Sequence, residues 1–276
     1  MANYTKLSIQ VTEEQSDILT AYLADFPFES FDYAGGLLNG YIPQSAFEEC
    51  RGEVEDLLHA EGVLDFYFEE IGQQNWNAVW ESNFEEVEVK GEVLIRAPFH
   101  KERPHYKGLE IIIQPKMSFG TGHHATTRLM VEMLLNSDIE DKRILDMGSG
   151  TGVLAIVATK LGAESVLAVE IDDMAEESVR ENIELNGVAE KVVSICGDAT
   201  AIEGRAFDIV LANINRNVLL ADMEAYAATL SEGGELIMSG FFEEDIEILL
   251  KKAKRFGLKK VEQLSHDEWR AIRLKK

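Results

Sequence analysis

Apolar and polar positions alternate through residues 4–11, "YTKLSIQV", which is the period of a strand with one buried face. The period then lengthens in "TEEQSDILTAYLADF", which puts Ile18, Leu19, Tyr22 and Leu23 on one helical face behind a Thr12 N-cap. "FESFDYAGGLLNGYIP" predicts two short strands around a Gly35-Gly36 turn. A second amphipathic helix, "QSAFEECRGEVEDLLHAEG", closes at Gly62, and "LDFYFEEI" is a last strand. Strand, helix, two strands, helix, strand is the order of a ferredoxin-like α+β domain, here residues 1–71. No active-site constellation stands out within it.

Residues 72–85 read as a linker with helical character. Trp76 and Trp80 are four apart and share a helical face, suited to docking this connector on a neighbouring domain. Strand material follows in "VEVKGEVLIRAPFH" and "LEIIIQP". From about residue 128 strands and helices alternate. The strands are "RILDMG", "SVLAVEID", "KVVSICGD", "FDIVLANI" and "GGELIMSGFF", with helices starting near Gly152, Met174, Asn217 and Glu243. Near-continuous apolar strands between helices imply a parallel sheet covered on both faces. "LKKVEQLSHD" and "EWRAIRLKK" lie too close together for a crossover and predict an antiparallel edge hairpin. Residues 86–276 are therefore expected to form an α/β domain.

Composition narrows the setting. The chain has 276 residues, 46% hydrophobic and 28% charged, the balance of a folded globular protein. No apolar run is long enough to span a bilayer, and the N-terminus meets acidic residues too early for a signal peptide. Cys50 and Cys196 offer no disulfide framework, so a cytoplasmic setting is expected. The net charge is −24, and residues 1–70 carry 15 acidic residues against only Lys6 and Arg51. Such a surface repels nucleic acid and attracts a basic protein.

Two glycine loops carry the candidate chemistry: "FGTGHHATT" (119–127) and "DMGSGTG" (146–152). The second follows the first strand of the parallel sheet and opens a helix, where doubly wound folds hold ligands. Glu170 ends the next strand, 22 residues after Gly148, where a carboxylate can accept both hydroxyls of a ribose. Val153 stands where the dinucleotide fingerprint wants its third glycine, and no Gly-Lys-Ser/Thr is present, so dinucleotide and triphosphate loops are disfavoured. His123 and His124 are adjacent, so their rings diverge; no metal site is expected. His124 is read as ordering its loop by a hydrogen bond more than as a base, and Asp172 as a helix N-cap.

"DMGSGTG", Glu170, the "GD" at Asp198 and the terminal hairpin together resemble the class I methyltransferase fold: a doubly wound, mostly parallel seven-stranded sheet with a C-terminal antiparallel hairpin. "FGTGHHATT", "LANI" and the "WNAVWESNF" joint further resemble the bacterial methyltransferases of large-subunit ribosomal protein eleven, over the whole chain. In that family the first loop commonly has threonine and proline where this chain has His123 and Ala125. The resemblance implies S-adenosylmethionine as cofactor, contacted by Thr127, Gly148, Gly150, Glu170, Asp198 and Asn213, with Phe119 packing nearby. It further implies that Asn213 positions the substrate amine, and that the N-terminal domain recognises the ribosomal protein. The bland alternative for Asn213 is a strand-end turn that bonds its own backbone. "NINR" lacks the prolines and aromatic of amino-methyltransferases acting on flipped bases, so no nucleic-acid substrate is expected. Methylation of another protein's lysine or of a small molecule, and silent cofactor binding, stay open.

Overall fold

A computed structural model describes residues 4–71, 84–115 and 122–276; Trp76, Trp80 and Phe119 lie outside them. The chain divides into two units, residues 1–84 and 85–276.

The first unit comprises β1 (Tyr4–Gln10), α1 (Glu13–Leu23), β2 (Ser30–Ala34), β3 (Leu37–Pro43), α2 (Gln44–Ala60) and β4 (Phe66–Ile71). Its antiparallel sheet has the order β2-β3-β1-β4, the ferredoxin-like arrangement. Gly35 and Gly36 both have positive φ (62° and 85°), as a two-residue hairpin turn requires. Thr12 caps α1 through a reciprocal box with Gln15. Leu7, Ile9, Leu19, Leu23, Leu38, Val54 and Leu58 build the core. The buried face of α1 differs from the one its apolar spacing predicts. Ser16, Leu19 and Leu23 face the sheet, whereas Ile18 and Tyr22 are about half exposed. The buried stripe follows the i, i+3, i+7 row, and Ile18 and Tyr22 fall on its flank.

The second unit opens with a three-stranded sheet, β5 (Val87–Val89), β6 (Val93–Arg96) and β7 (Leu109–Ile112), in which β6 and β7 are parallel. Helix α3 (Ala125–Leu135) follows. The alternating segment then runs β8 (Arg143–Met147), α4 (Val153–Lys160), β9 (Ser165–Glu170), α5 (Asp173–Leu185), β10 (Val192–Cys196), β11 (Phe207–Asn213), α6 (Arg216–Thr229), β12 (Leu230–Phe242), α7 (Ile246–Lys254), β13 (Lys259–His266) and β14 (Trp269–Lys275). The seven strands are ordered β10-β9-β8-β11-β12-β14-β13. The first five are parallel, and β14 inserts antiparallel between β12 and β13.

Period-two alternation buries both faces of this sheet. Ile144, Val166, Ile209, Leu211 and Ile237 point into the core shared with α3, α4 and α5. Their neighbours Leu145, Leu167, Val210, Leu236 and Met238 point into the core shared with α6 and α7. The chain winds one way from β8 to β10 and the other way through β11 and β12. The crevice where strand order reverses lies at the carboxyl ends of β8 and β11. Leu211 is fully buried on β11, between β8 and β12. Replacing it with alanine should lower the stability of the second unit by about 2–5 kcal/mol, read as an earlier urea midpoint at unchanged slope.

Candidate active site

β8 delivers the second glycine loop. After Met147 the chain must turn sharply, and Gly148, Gly150 and Gly152 all take positive φ (69°, 58° and 79°), where a side chain would be strained. The loop is strapped to the end of β9. Gly148 N–H and Ser149 N–H both donate to the Val169 carbonyl, at 2.9 and 3.1 Å. Gly150 N–H donates to Glu170 Oε2 at 2.8 Å, and the other carboxylate oxygen accepts from Ile171 N–H at 2.9 Å. Three backbone donors thus hold the loop open against β9, with the Glu170 carboxylate at its lip. A Cβ on Gly148 would lie 2.4 Å from Ile214 Cγ2, so the loop also sits close against the residue after Asn213.

The first loop reaches the same place. His124 caps α3: its Nδ1 accepts from Thr126 N–H at 3.3 Å and lies 2.8 Å from Thr126 Oγ1. Burial pushes the His124 pKa below its ordinary value, so the ring is neutral near pH 7. His123 turns away, with Nε2 2.8 Å from the Glu85 carbonyl. The first residue in this loop with positive φ among those described, Gly122 (94°), packs beside Ile95 of the small sheet.

A crevice of about 520 Å³ is lined by His124, Thr126, Gly148, Gly150, Glu170, Asp198 and Asn213, with Met147, Val169 and Ile214 among its apolar walls. Five of the sequence-expected residues therefore share one cavity. Thr127 is buried one position further into α3 and is not part of the lining. Asp198 caps the 3-10 turn Ala199–Ile202, accepting from Thr200 N–H and Oγ1, and these bonds lower its pKa. Asp172 caps α5 by accepting from Ala175 N–H at 2.9 Å.

Among the described residues, four buried oxygens near the two loops have no hydrogen-bond partner: Thr127 Oγ1, Asp146 Oδ1, Ser149 Oγ and Asn213 Oδ1, the last on a residue that lines the crevice. Leaving one such group unpaired costs about 1–3 kcal/mol, so their clustering marks a place shaped for a polar ligand. Asn213 Oδ1 has no backbone partner. Asn215 does the helix capping instead, accepting from Asn217 and Val218 N–H. Sequence reasoning did not single out Ser149, Thr126 or Trp269. Ser149 and Thr126 lie inside the quoted loops, but Trp269 comes from β14 to meet His124 edge to face at 4.8 Å. A contact across more than 140 positions leaves no local signal. Among the described residues no cluster of His, Cys, Asp and Glu is arranged to hold a metal ion.

Asp146 is fully buried, and desolvation, reinforced by Glu170 nearby, pushes its pKa up to about 7; its one relief is Ala155 N–H, which donates to Oδ2 at 3.1 Å. The unfolded chain ionises this group at the ordinary carboxylate value of about 4. Between those values the folded state holds the proton and the unfolded state does not, so stability falls as pH rises through this window. Asp146→Asn keeps the shape and the bond from Ala155. The ligand-free variant should therefore gain stability over the parent progressively from about pH 4 to about pH 7 and level off above it. Thermal melts across that range check it, and a constant difference would contradict it.

The ribosomal protein L11 methyltransferase family model matches residues 8–276. The ribosomal protein L11 methyltransferase of Porphyromonas gingivalis is 45% identical over 267 residues, covering 95% of this chain and 91% of that protein. The enzyme of the same name from Bacteroides fragilis is 41% identical, covering 95% and 94%. Among solved structures, the ribosomal protein L11 methylase of Lactobacillus delbrueckii subsp. bulgaricus superposes with a TM-score of 0.65 at 26% identity, covering 69% of this chain and 98% of that one. With a two-loop crevice at the switch point of a seven-stranded sheet and relatives matched along nearly their whole length, the chain belongs to the ribosomal protein L11 methyltransferase family.

Proposed function

We infer that the protein transfers methyl groups from S-adenosylmethionine to amino groups of ribosomal protein L11. Family membership supports the cofactor and the protein substrate. The observation that carries the chemistry is Asn213, which lines the crevice at the end of β11 together with the glycine loop and whose buried Oδ1 has no partner among the described residues.

The crevice suits the cofactor's parts. The glycine loop lets backbone approach the methionine end, Glu170 takes the ribose hydroxyls, and Asp198 accepts from the adenine edge. Thr126, whose backbone N–H meets His124 Nδ1, lines the crevice beside them. When bound, S-adenosylmethionine supplies an electrophilic methyl on a sulfonium, already a good leaving group.

The protein's share of the work is to present a neutral amine in line. A lysine ammonium has a pKa of about 10.4 in water, and a nitrogen that has kept its proton has no lone pair to attack with. The apolar wall of Met147, Val169 and Ile214 disfavours the charged amine, as does a cation bound nearby. Asn213 Oδ1 then accepts one N–H of the neutral amine and fixes the direction of its lone pair. An amide oxygen does this without charge and does not hold the extra proton as a carboxylate would. Lysine side chains are the principal acceptors in this reading, with the α-amine a further one.

The acidic first unit serves to bind the basic ribosomal protein, in the cytoplasm where ribosomes are made. No helix among the described residues is long and apolar enough to cross a membrane.

Incubation of the full-length enzyme with labelled S-adenosylmethionine and a mixture of unmethylated ribosomal proteins tests the reading. Label should appear on lysines of L11, identified by mass spectrometry; label on another protein, or none, would contradict it. Asn213→Ala should lower kcat at least about a hundredfold, the loss of one oriented polar group at the reacting centre, and should weaken cofactor binding by much less than that.

A further inference from the structure

Beside the cofactor crevice lies a second cavity, of about 410 Å³, which shares Asn215, Gly240 and Trp269 with it. Gly240 stands in the wall that the two cavities share, packed closely on the Ile214 backbone. It has φ of 97°, and a Cβ there would fall 2.3 Å from the Ile214 carbonyl oxygen. The wall is aromatic. Trp269 packs against Phe242 at 4.4 Å between ring centroids and against His124 at 4.8 Å, so one row of rings runs from the first loop to the outer cavity. Phe242 is more than a third exposed there.

The charges at this rim are unevenly spent. Asp245, almost buried, is saturated: Arg216 donates to its Oδ1 at 2.8 Å and Phe242 N–H to its Oδ2 at 3.1 Å. Glu243 is taken by Arg270, whose Nε donates to Oε2 at 2.5 Å. Glu244, between them in the 3-10 turn Glu243–Asp245, lines the cavity, is exposed, and has no ion pair among the described residues. Arg216 also lines the cavity but is paired with Asp245, so the cavity combines an available carboxylate with an exposed aromatic face. That pairing suits a lysine or arginine whose aliphatic stem lies along the rings while its cation meets the carboxylate.

We propose that this cavity is a subsite for a basic side chain of the protein substrate that flanks the amine being methylated, with Glu244 and Phe242 as its recognising residues. This rests on the reading of the crevice as the methyl-transfer site. Filling it anchors the substrate chain beside Asn215 and so presents a neighbouring amine to Asn213. The occupant is a cation of the protein and takes no part in the transfer itself.

Steady-state kinetics of the full-length enzyme on purified L11 tests this, with cofactor affinity measured separately by calorimetry. Glu244→Lys should raise KM for L11 about tenfold by replacing attraction with repulsion, while kcat and cofactor affinity stay near those of the parent. Glu244→Asp should recover most of the loss, and Phe242→Ala should raise KM about threefold or more through the missing cation–π face. An unchanged KM in Glu244→Lys overturns the proposal, as does a loss confined to kcat or to cofactor affinity, which is what a merely structural role gives. A parent enzyme that does not methylate L11 overturns the substrate reading, and this inference with it. An active parent with unmoved KM values overturns the subsite alone.

Discussion

The hydrogen bond from Gly150 N–H to Glu170 Oε2 joins the two strand ends on which the site is built. β8 and β9 are neighbours in the parallel sheet, so their carboxyl ends are set side by side by the ladder itself. What the ladder does not decide is the path of the chain beyond Met147. Gly148 and Ser149 bonding to Val169, and Gly150 bonding to Glu170, choose that path, and the positive φ values of the glycines make it available. The same carboxylate that holds the loop is the group that the proposed function offers to a ribose. Loop shape and ligand recognition therefore rise and fall together at this residue.

Around that strap the molecule carries polar groups that its own fold leaves unsatisfied. A structure selected for stability alone would not keep Asp146 buried with one bare oxygen and a pKa near 7, nor leave Asn213, Thr127 and Ser149 with buried oxygens unpaired among the described residues. The two glycine loops converge because α3 and α4 pack on one face of the sheet, within one core. His124 then fastens the start of α3, and Trp269 from β14 covers the ring. The antiparallel hairpin that closes the sheet thus contributes to the wall of the site as well as to its edge.

Much of the fold was legible because the physics behind it is local. Alternation marks the first strand, near-continuous apolar runs mark the parallel strands of the second unit, Thr12 and Asp172 announce helix starts, and Gly35-Gly36 announces a turn. Helix α3 was not anticipated, since its start lies inside a loop motif whose histidine serves as the cap. Ile18 and Tyr22 were assigned to the wrong side of α1; spacing alone cannot tell a buried stripe from its flank when both are apolar. At the site, the glycine loop and Glu170 were visible because strand, turn and acidic residue recur at short range. Trp269 and the cavity beside Gly240 come from pairing β14 with β12, a long-range choice that no window of sequence contains.

Every role proposed for the crevice depends on Glu170 holding S-adenosylmethionine there. Calorimetric titration of the ligand-free protein and of Glu170→Ala with S-adenosylmethionine measures this directly. The parent should bind one molecule per chain, and the variant should bind at least about tenfold more weakly, from the loss of charge-assisted hydrogen bonds and of the loop's tether. Equal affinities in the two proteins would contradict the account and place the cofactor elsewhere.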